Sequence, residues 1–479
     1  MSQPTPLITL DSLTVRRGGK PVLSNLSFQL KSGECWCITG PTGSGKTTFL
    51  QALAGQFPAP PGTLTRRVFT EFVSFKEESS RFSYSGYFYQ QRYQATMSDH
   101  ADGNDPGYTA LPSLRDFLQV SNSPESTALL ERLGLTSLLD RSFIKLSNGQ
   151  TRKARIGKAL LRHPAVLLLD NPFVGLDVNF RSDLTAWLGE LTNHGLSLVF
   201  VADADDIPVF ATHIAEIGQG RLLWAGPKED YRANYQLETD FGVPPVLQTI
   251  PQQTDFAEAF RLQDITVRYG DTVILNDLNW VVRTNERWAL FGPNGAGKSV
   301  LLSLLYGDHP QAYANQVSVF GNRRGKSGET IWDVKRRIGF VSPELHLYFP
   351  QHLSARQVAL TGLTDTLTPP NRVSPETETD LANLFAYFDL THAESRPFGT
   401  LSAGEQRLVL LVRAFLKNAP VLLLDEPFQA IDSRHIERAR RLIDSFLNKT
   451  VLFVTHNRKE LPESIDELFA LASTNTVEG

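Results

Sequence analysis

Two short stretches place a lysine between a glycine and a hydroxyl residue: GPTGSGKT at 40–47 and GPNGAGKS at 292–299. Both fit G-x-x-x-x-G-K-[ST]. Gly40, Gly43 and Gly45 in the first, and Gly292, Gly295 and Gly297 in the second, let backbone N–H groups wrap an anion at the start of a helix. Lys46 and Lys298 are placed to reach the terminal phosphates of a polyphosphate. Thr47 and Ser299 offer hydroxyls to Mg2+, and Thr48 is taken with the first loop. Further on, apolar runs end on Asp170 (LLLDNPFVGLD) and Asp425 (LLLDEPFQAID), where a carboxylate can organise Mg2+. The next residue is Asn171 in one and Glu426 in the other. A carboxylate there could do acid/base chemistry; an amide cannot near pH 7.

The elements around these residues are written twice. LITLDSLTVRRGGKPVLSNLSFQL opens the chain, and FRLQDITVRYGDTVILNDLNWVV starts again at Phe260. The separations Lys46 to Lys298, Ser147 to Ser402 and Asp170 to Asp425 are 252, 255 and 255 residues. So constant an offset marks a tandem duplication of a domain of roughly 220–240 residues. Each copy begins with alternating apolar residues and Gly-bearing turns, the pattern of antiparallel strands. Continuous apolar runs come later (AVLLLD and SLVFVA; PVLLLD and TVLFVT), separated by helical patterns, and read as buried parallel strands. Each phosphate loop sits between an apolar strand (CWCI; WALF) and an apolar helix (TTFLQALAG; SVLLSLLYG). Residues 229–257, which include GVPPVLQTIPQQTD, read as a short extended tether, and MSDHADGNDPGYT as a mobile surface loop.

Composition narrows the class. A chain of 479 residues is too long for one ordinary core, and 41% apolar with 20% charged residues describes a soluble globular protein. No run approaches the roughly 18 apolar residues of a membrane helix. MSQPTPLITLDSLTVRR has no apolar signal core, so export is not expected. With 47 Lys+Arg against 51 Asp+Glu, nothing global attracts nucleic acid. The only cysteines, Cys35 and Cys37, alternate on a strand and should face one layer of core as inert thiols in a reducing cytosol.

LSNGQ at 146–150 and LSAGEQ at 401–406 open helices about twenty residues before each aspartate strand. Ser147 with Gln150, and Ser402 with Glu405, have capping-box spacing. A basic helix follows each (TRKARIGKALLRHP; RLVLLVRAFLKNAP). Here the sequence resembles the ATP-binding-cassette (ABC) ATPases, nearly end to end and twice. The resemblance implies an α/β chain of two tandem ABC nucleotide-binding domains with the P-loop NTPase fold, each with an antiparallel β subdomain and a helical subdomain. Domain one spans 1–228, the linker 229–257 and domain two 258–479. ATP and Mg2+ are the implied ligands. The family pairs its cassettes head to tail, so Ser147 and Gly149 would complete the site at Lys298, and Ser402 and Gly404 the site at Lys46. In the family's pattern Glu426 polarises or deprotonates the attacking water and His456 is the switch histidine at the γ-phosphate. Domain one has Asn171 and Asp203 at those positions. Tyr269 takes the place of the aromatic that stacks on adenine, where domain one has Arg17. The Mg2+-sensing glutamine at a strand end aligns with Gln90 in domain one; in domain two Pro343 stands there, beside Glu344. The pattern gives one degenerate ATP-holding site at Lys46 and one hydrolytic site at Lys298.

Several tandem-cassette groups do not fit. The ABC-F group has a long charged helical linker, ribosome-recycling cassettes and UvrA proteins need more cysteines, and chromosome-type ATPases need long heptads. GDHPQAY and RRGKSGETIWDVK instead resemble the ModF-type group, whose names refer to molybdenum transport or photorepair. Two classes of function follow. One is the cytosolic energising subunit of an import system for molybdate or a related metal oxyanion, docking on separate permease subunits through residues 91–145 and 344–400. The other is a soluble regulatory or stress-linked ATPase acting on a cytosolic partner. A cytoplasmic location, peripheral to the inner membrane in the first case, is expected.

Overall fold

The computed structural model describes residues 5–17, 20–75, 112–120, 123–143, 146, 148–173, 176, 178–232, 241–249, 254–269, 272–293, 296–343 and 345–471. These fall into two compact units, one ending at 232 and the other beginning at 241.

In unit one, β1 (Ile8–Arg17) and β2 (Lys20–Leu30) pair antiparallel, and β4 (Leu64–Arg66) extends the sheet in the order β2-β1-β4. Ile8, Leu10, Leu13 and Val15 are all buried. A register shift after Leu10, with Ser12 left-handed at φ 51°, keeps Leu13 and Val15 on the core face. The second sheet contains β3 (Cys35–Thr39), β5 (Thr70–Ser74), β6 (Val166–Asp170), β7 (Ser197–Val201), β8 (His213–Gly218) and β9 (Arg221–Pro227). Its order is β5-β6-β7-β3-β8-β9, parallel up to β8 and antiparallel at β9. β3, β6 and β7 are buried at every residue, as continuous apolar runs require of central parallel strands.

Helix α1 (Lys46–Leu53) leaves β3 through the first phosphate loop. α2 (Leu114–Leu118) and α3 (Pro124–Arg132) share a small apolar cluster with Leu135, Phe143 and Leu146, separate from the sheet core. α4 (Asn148–Leu160) and α5 (Val178–Asn193) flank β6 in sequence. Cys35 and Cys37 are free, buried thiols in one cluster with Leu184 and Leu188, while Trp36 and Ile38 point into the other. Burial pushes the Cys37 thiol up to about 12, and Cys35 is raised for the same reason, so neither is a thiolate at neutral pH.

Unit two repeats the plan. β10 (Glu258–Tyr269), β11 (Thr272–Arg283), β13 (Gln316–Val319) and β14 (Asn322–Arg323) form an antiparallel sheet ordered β11-β10-β13-β14. β12 (Arg287–Phe291), β15 (Ile338–Val341), β16 (Val421–Asp425), β17 (Thr450–Val454) and β18 (Glu467–Ala470) form a parallel sheet ordered β15-β16-β17-β12-β18. α6 (Lys298–Tyr306) follows the second phosphate loop. α7 (Ile331–Arg336), α8 (Ala355–Leu360), α9 (Pro375–Tyr387), α10 (Ala403–Leu416) and α11 (Ser433–Ser445) complete it. α10 is buried from Gly404 to its end, and its Leu408, Leu411 and Phe415 share one core with α8, α9 and β16. Each such side chain contributes about 1.5–3 kcal/mol, which holds the helical part of the unit to its sheet.

Within the expected tether, residues 241–249 are fastened to unit two. The fully buried carboxylate of Asp380 accepts from the Gln248 N–H at 2.7 Å, the Thr249 N–H at 2.9 Å and the Thr249 hydroxyl. Asn418 Nδ2 donates to the Thr249 carbonyl at 2.7 Å, and Leu247 packs on the core. The loop MSDHADGNDPGYT lies outside the described residues. Among the described residues no helix is long and apolar enough to cross a membrane.

Candidate nucleotide sites

Each phosphate loop turns into its helix through a left-handed glycine: Gly45 at φ 104° and Gly297 at φ 92°. A Cβ on Gly45 would lie 2.6 Å from Leu23 Cδ2, and one on Gly297 2.9 Å from Leu275 Cδ2. The left-handed backbone is what demands glycine at both positions. Lys46 Nζ donates to the carbonyls of Gly40 (2.5 Å) and Pro41 (2.9 Å); Lys298 Nζ donates to those of Gly292 (2.6 Å) and Pro293 (3.0 Å). The two units thus hold an ammonium at the loop mouth in the same way. Gly43 is also left-handed, Thr48 is buried on α1, and Gly295 lies outside the described residues.

Beside each loop a hydroxyl meets a carboxylate. Thr47 Oγ1 donates to Asp170 Oδ1 at 3.0 Å, and Ser299 Oγ donates to Asp425 Oδ2 at 3.2 Å. Both aspartates are buried at their strand ends. A hydroxyl and a carboxylate brought together from a loop helix and a neighbouring strand are hard oxygen donors of the kind Mg2+ takes. The residues fit the ion in both units.

The units part at the next residue. Asn171 and Glu426 share an uncommon backbone, left-handed at φ 57° and 42°. Asparagine adopts this conformation more readily than most residues, whereas for glutamate it costs about 1–2 kcal/mol. Asn171 Nδ2 donates to Asp170 Oδ1 at 3.0 Å. Glu426 instead points an oxygen at His456 Nδ1, 3.6 Å away, an ion pair longer than a hydrogen bond, and accepts from Gln429 Nε2. Burial raises the Glu426 carboxyl, but His456, Lys298 and Gln429 outweigh it and hold it below its ordinary value. Contact with that carboxylate lifts the His456 imidazole against its own burial. A carboxylate and an imidazole whose protonated form it favours therefore stand together near Lys298. In unit one Asp203 lies two residues past β7, as His456 lies two past β17, and it is an acid drawn to Arg181.

Two arginines, Arg407 buried and Arg152 half-buried, were missed from sequence, although each occupies the same place in its basic helix. Arg407 donates to the carbonyls of Ser342 (2.6 Å) and Pro343 (3.0 Å); burial lowers it to about 10 while Glu426 and Asp425 favour its charge. Arg152 donates to the Asn171 and Pro172 carbonyls at 2.9 and 3.3 Å. Strand registers also bear on the glutamine position. Val341 pairs Leu424 on β15, and Ser74 pairs Asp170 on β5, so Phe75 is the counterpart of Pro343. Gln90, aligned there from sequence, lies outside the described residues and beyond β5.

Ser402 caps α10 in a capping box with Glu405, and Gly404 is buried in its first turn. Glu405 is pushed up by burial but held at about 2 by His392, the Ser402 amide and hydroxyl, and Arg396. Gly149 is the second residue of α4; Ser147 and Glu344 lie outside the described residues. Tyr269 ends β10, half-buried, with its hydroxyl 2.6 Å from His309 Nε2.

Comparison with known proteins follows the same duplication. The family description "ABC transporter" matches residues 23–174 and 275–429. The chain is similar to the ABC transporter ATP-binding protein ModF of Escherichia coli (strain K12), at 35% identity covering 94% of each chain. It is also similar to an uncharacterized ABC transporter ATP-binding protein of Schizosaccharomyces pombe, at 31% identity over 93% of this chain and 94% of that one. Among solved structures, a ribosome-bound archaeal Pelota and ABCE1 model shares the fold at TM-score 0.61 and 20% identity, covering 96% of this chain and 76% of that one. Two phosphate loops, two hydroxyl–carboxylate pairs and two matched stretches lead to one conclusion: the chain belongs to the ABC transporter family, as a tandem ABC ATPase that binds ATP in its cassettes.

Proposed function

We propose that this ATPase works with unequal sites, holding ATP at Lys46 and hydrolysing it at Lys298. The observation that carries the reading is the Glu426–His456 pair at 3.6 Å in unit two, set against Asn171 donating its amide to Asp170 in unit one. Thr47 with Asp170, and Ser299 with Asp425, would hold Mg2+, which when bound shields phosphate charge. Lys298 draws the terminal phosphate, Glu426 accepts the proton of the attacking water, and His456 donates toward the γ-phosphate. The family's head-to-tail pairing, with Ser147 and Gly149 serving Lys298 and Ser402 and Gly404 serving Lys46, belongs to the same proposal. So do the boundaries 1–228, 229–257 and 258–479. Rapid mixing with a small excess of ATP, followed by acid quench, should show one of two bound nucleotides cleaved and the other recovered as ATP. Cleavage of both at one rate would overturn the asymmetry.

In this proposal the cycle energises a separate membrane permease for a metal oxyanion such as molybdate, from the cytoplasmic side. The support is the similarity to a transporter ATP-binding protein over nearly the whole of both chains. Affinity purification from solubilised membranes should then recover a multi-span protein at a fixed ratio, released by ATP or by its absence. Recovery only from the soluble fraction, with a soluble partner, would favour the regulatory reading.

A further inference from the structure

Tyr269 is not left to find its own orientation. The segment that follows the second phosphate-loop helix, HPQAYAN at 309–315, reaches back to the end of β10 with three side chains. His309 meets the Tyr269 hydroxyl at 2.6 Å. Gln311 grips the residue before it: its Oε1 accepts from the Arg268 N–H at 3.2 Å, and its Nε2 donates to the Arg268 carbonyl at 2.7 Å. Asn315 Oδ1 accepts from the Thr266 N–H at 3.0 Å, and its Nδ2 donates to the Gln311 carbonyl at 2.9 Å. The segment is anchored in turn to the phosphate-loop helix, because the Ser303 carbonyl accepts from the N–H groups of Gly307, Asp308 and His309 at 3.0–3.2 Å.

His309 is 1% exposed. Its Nδ1 accepts from the Gln311 N–H at 3.2 Å, so the neutral ring carries its proton on Nε2 and donates it to the tyrosine oxygen. Burial lowers its pKa to about 4, which keeps it neutral through the physiological range. The two units supply an internal comparison. At the offset of 252 that relates Lys46 to Lys298, Arg17 stands for Tyr269 and Phe57 for His309. Histidine occurs where there is a tyrosine to hold, and neither is present in the other unit.

We propose that His309, with Gln311 and Asn315, is a positioning group for the nucleotide base at the Lys298 site, fixing the ring of Tyr269 relative to the phosphate loop. This deepens the proposed function and rests on its reading of Tyr269 as the base-stacking residue. His309 does not touch the reacting atoms; its effect is on binding of the base.

The test is steady-state ATPase of the full chain, with inorganic tripolyphosphate as a competing, base-free ligand. His309→Phe, which copies unit one, and Tyr269→Phe, which keeps the ring, should each raise KM for ATP about 3- to 10-fold, the size of one net hydrogen bond. The double variant should go no further, and inhibition by tripolyphosphate should stay the same in all three. His309→Asn should restore part of the lost affinity for ATP. An equal loss of tripolyphosphate inhibition would mean a general defect of the fold and overturn the proposal, as would additive effects in the double variant. Tyr269→Ala separates the layers. If it raises KM while His309→Phe does not, the positioning role fails alone; if it leaves KM unchanged, the base-stacking reading itself fails.

Discussion

Glu426→Gln should stop steady-state ATP hydrolysis, lowering kcat on the order of 10²–10⁴-fold, while ATP is still bound. The substitution is nearly isosteric. Its amide oxygen can still accept from Gln429 Nε2, and the backbone need not leave φ 42°. What is lost is the negative oxygen that faces His456, and with it the only strong acceptor at that position for a water proton. The control belongs in unit one, and the structure decides which substitution to use. Asn171→Ala would put a Cβ-bearing residue with no local hydrogen bond at φ 57°, mixing backbone strain with the loss of the amide. Asn171→Gly removes the amide and keeps the conformation at no steric cost. That variant should keep kcat within about twofold, since an amide contributes no proton acceptance. A collapse of turnover in Asn171→Gly, with Glu426→Gln still active, would exchange the roles of the two sites.

The left-handed backbone also explains why this pair of residues is informative. Glutamate at φ 42° is held against a cost of about 1–2 kcal/mol, and Asn171 relieves much of that cost in the copy. Glu426→Asn should therefore leave the melting temperature unchanged or raise it even as it removes the carboxylate.

Much of this was legible in the sequence because it is local or periodic. The glycine spacing of the loops, the buried runs that became β6, β7, β16 and β17, and the constant offset of the copies each depend on residues close in the chain. The features that were not legible join distant segments. Tyr269 and His309 are 40 residues apart, and Arg407 reaches Ser342 across 65. The strand beside β6, whose end lies well before the aligned Gln90, is hard to read for a different reason. TEFVS carries only two adjacent apolar residues, Phe72 and Val73, and lies at a sheet edge with Val73 alone buried, so it lacks the continuous apolar run of a central strand. The dihedral shared by Asn171 and Glu426 left only one trace in the residue pattern, the asparagine itself.

His456→Ala should be the second large effect, lowering kcat on the order of 10²-fold, as removal of one preorganised donor does. The pH dependence distinguishes a chemical role from a packing one. The Glu426 carboxyl is held below its ordinary value of 4.5, so it stays a carboxylate until the pH falls through that lowered value. The His456 imidazole is raised above 6.5, chiefly by Glu426, so it keeps its proton until the pH rises through the raised value. Wild-type turnover should hold between these two limits and decline outside them. The stability terms have matching signs. The depressed carboxyl stabilises the fold above pH 4.5 and loses that contribution as the pH falls through its folded value; the raised imidazole stabilises it below pH 6.5 and loses that contribution as the pH rises through its own. Both are fully present only between about pH 4.5 and 6.5, where the difference in melting temperature between wild type and His456→Ala should be greatest. That difference should shrink as the pH rises through the raised imidazole value, above which the ring is neutral in both folded and unfolded chains. The residual turnover of His456→Ala should lack the alkaline decline. A decline of wild-type shape in the variant would assign that limb to another group, and a melting difference independent of pH would reduce the Glu426–His456 contact to packing.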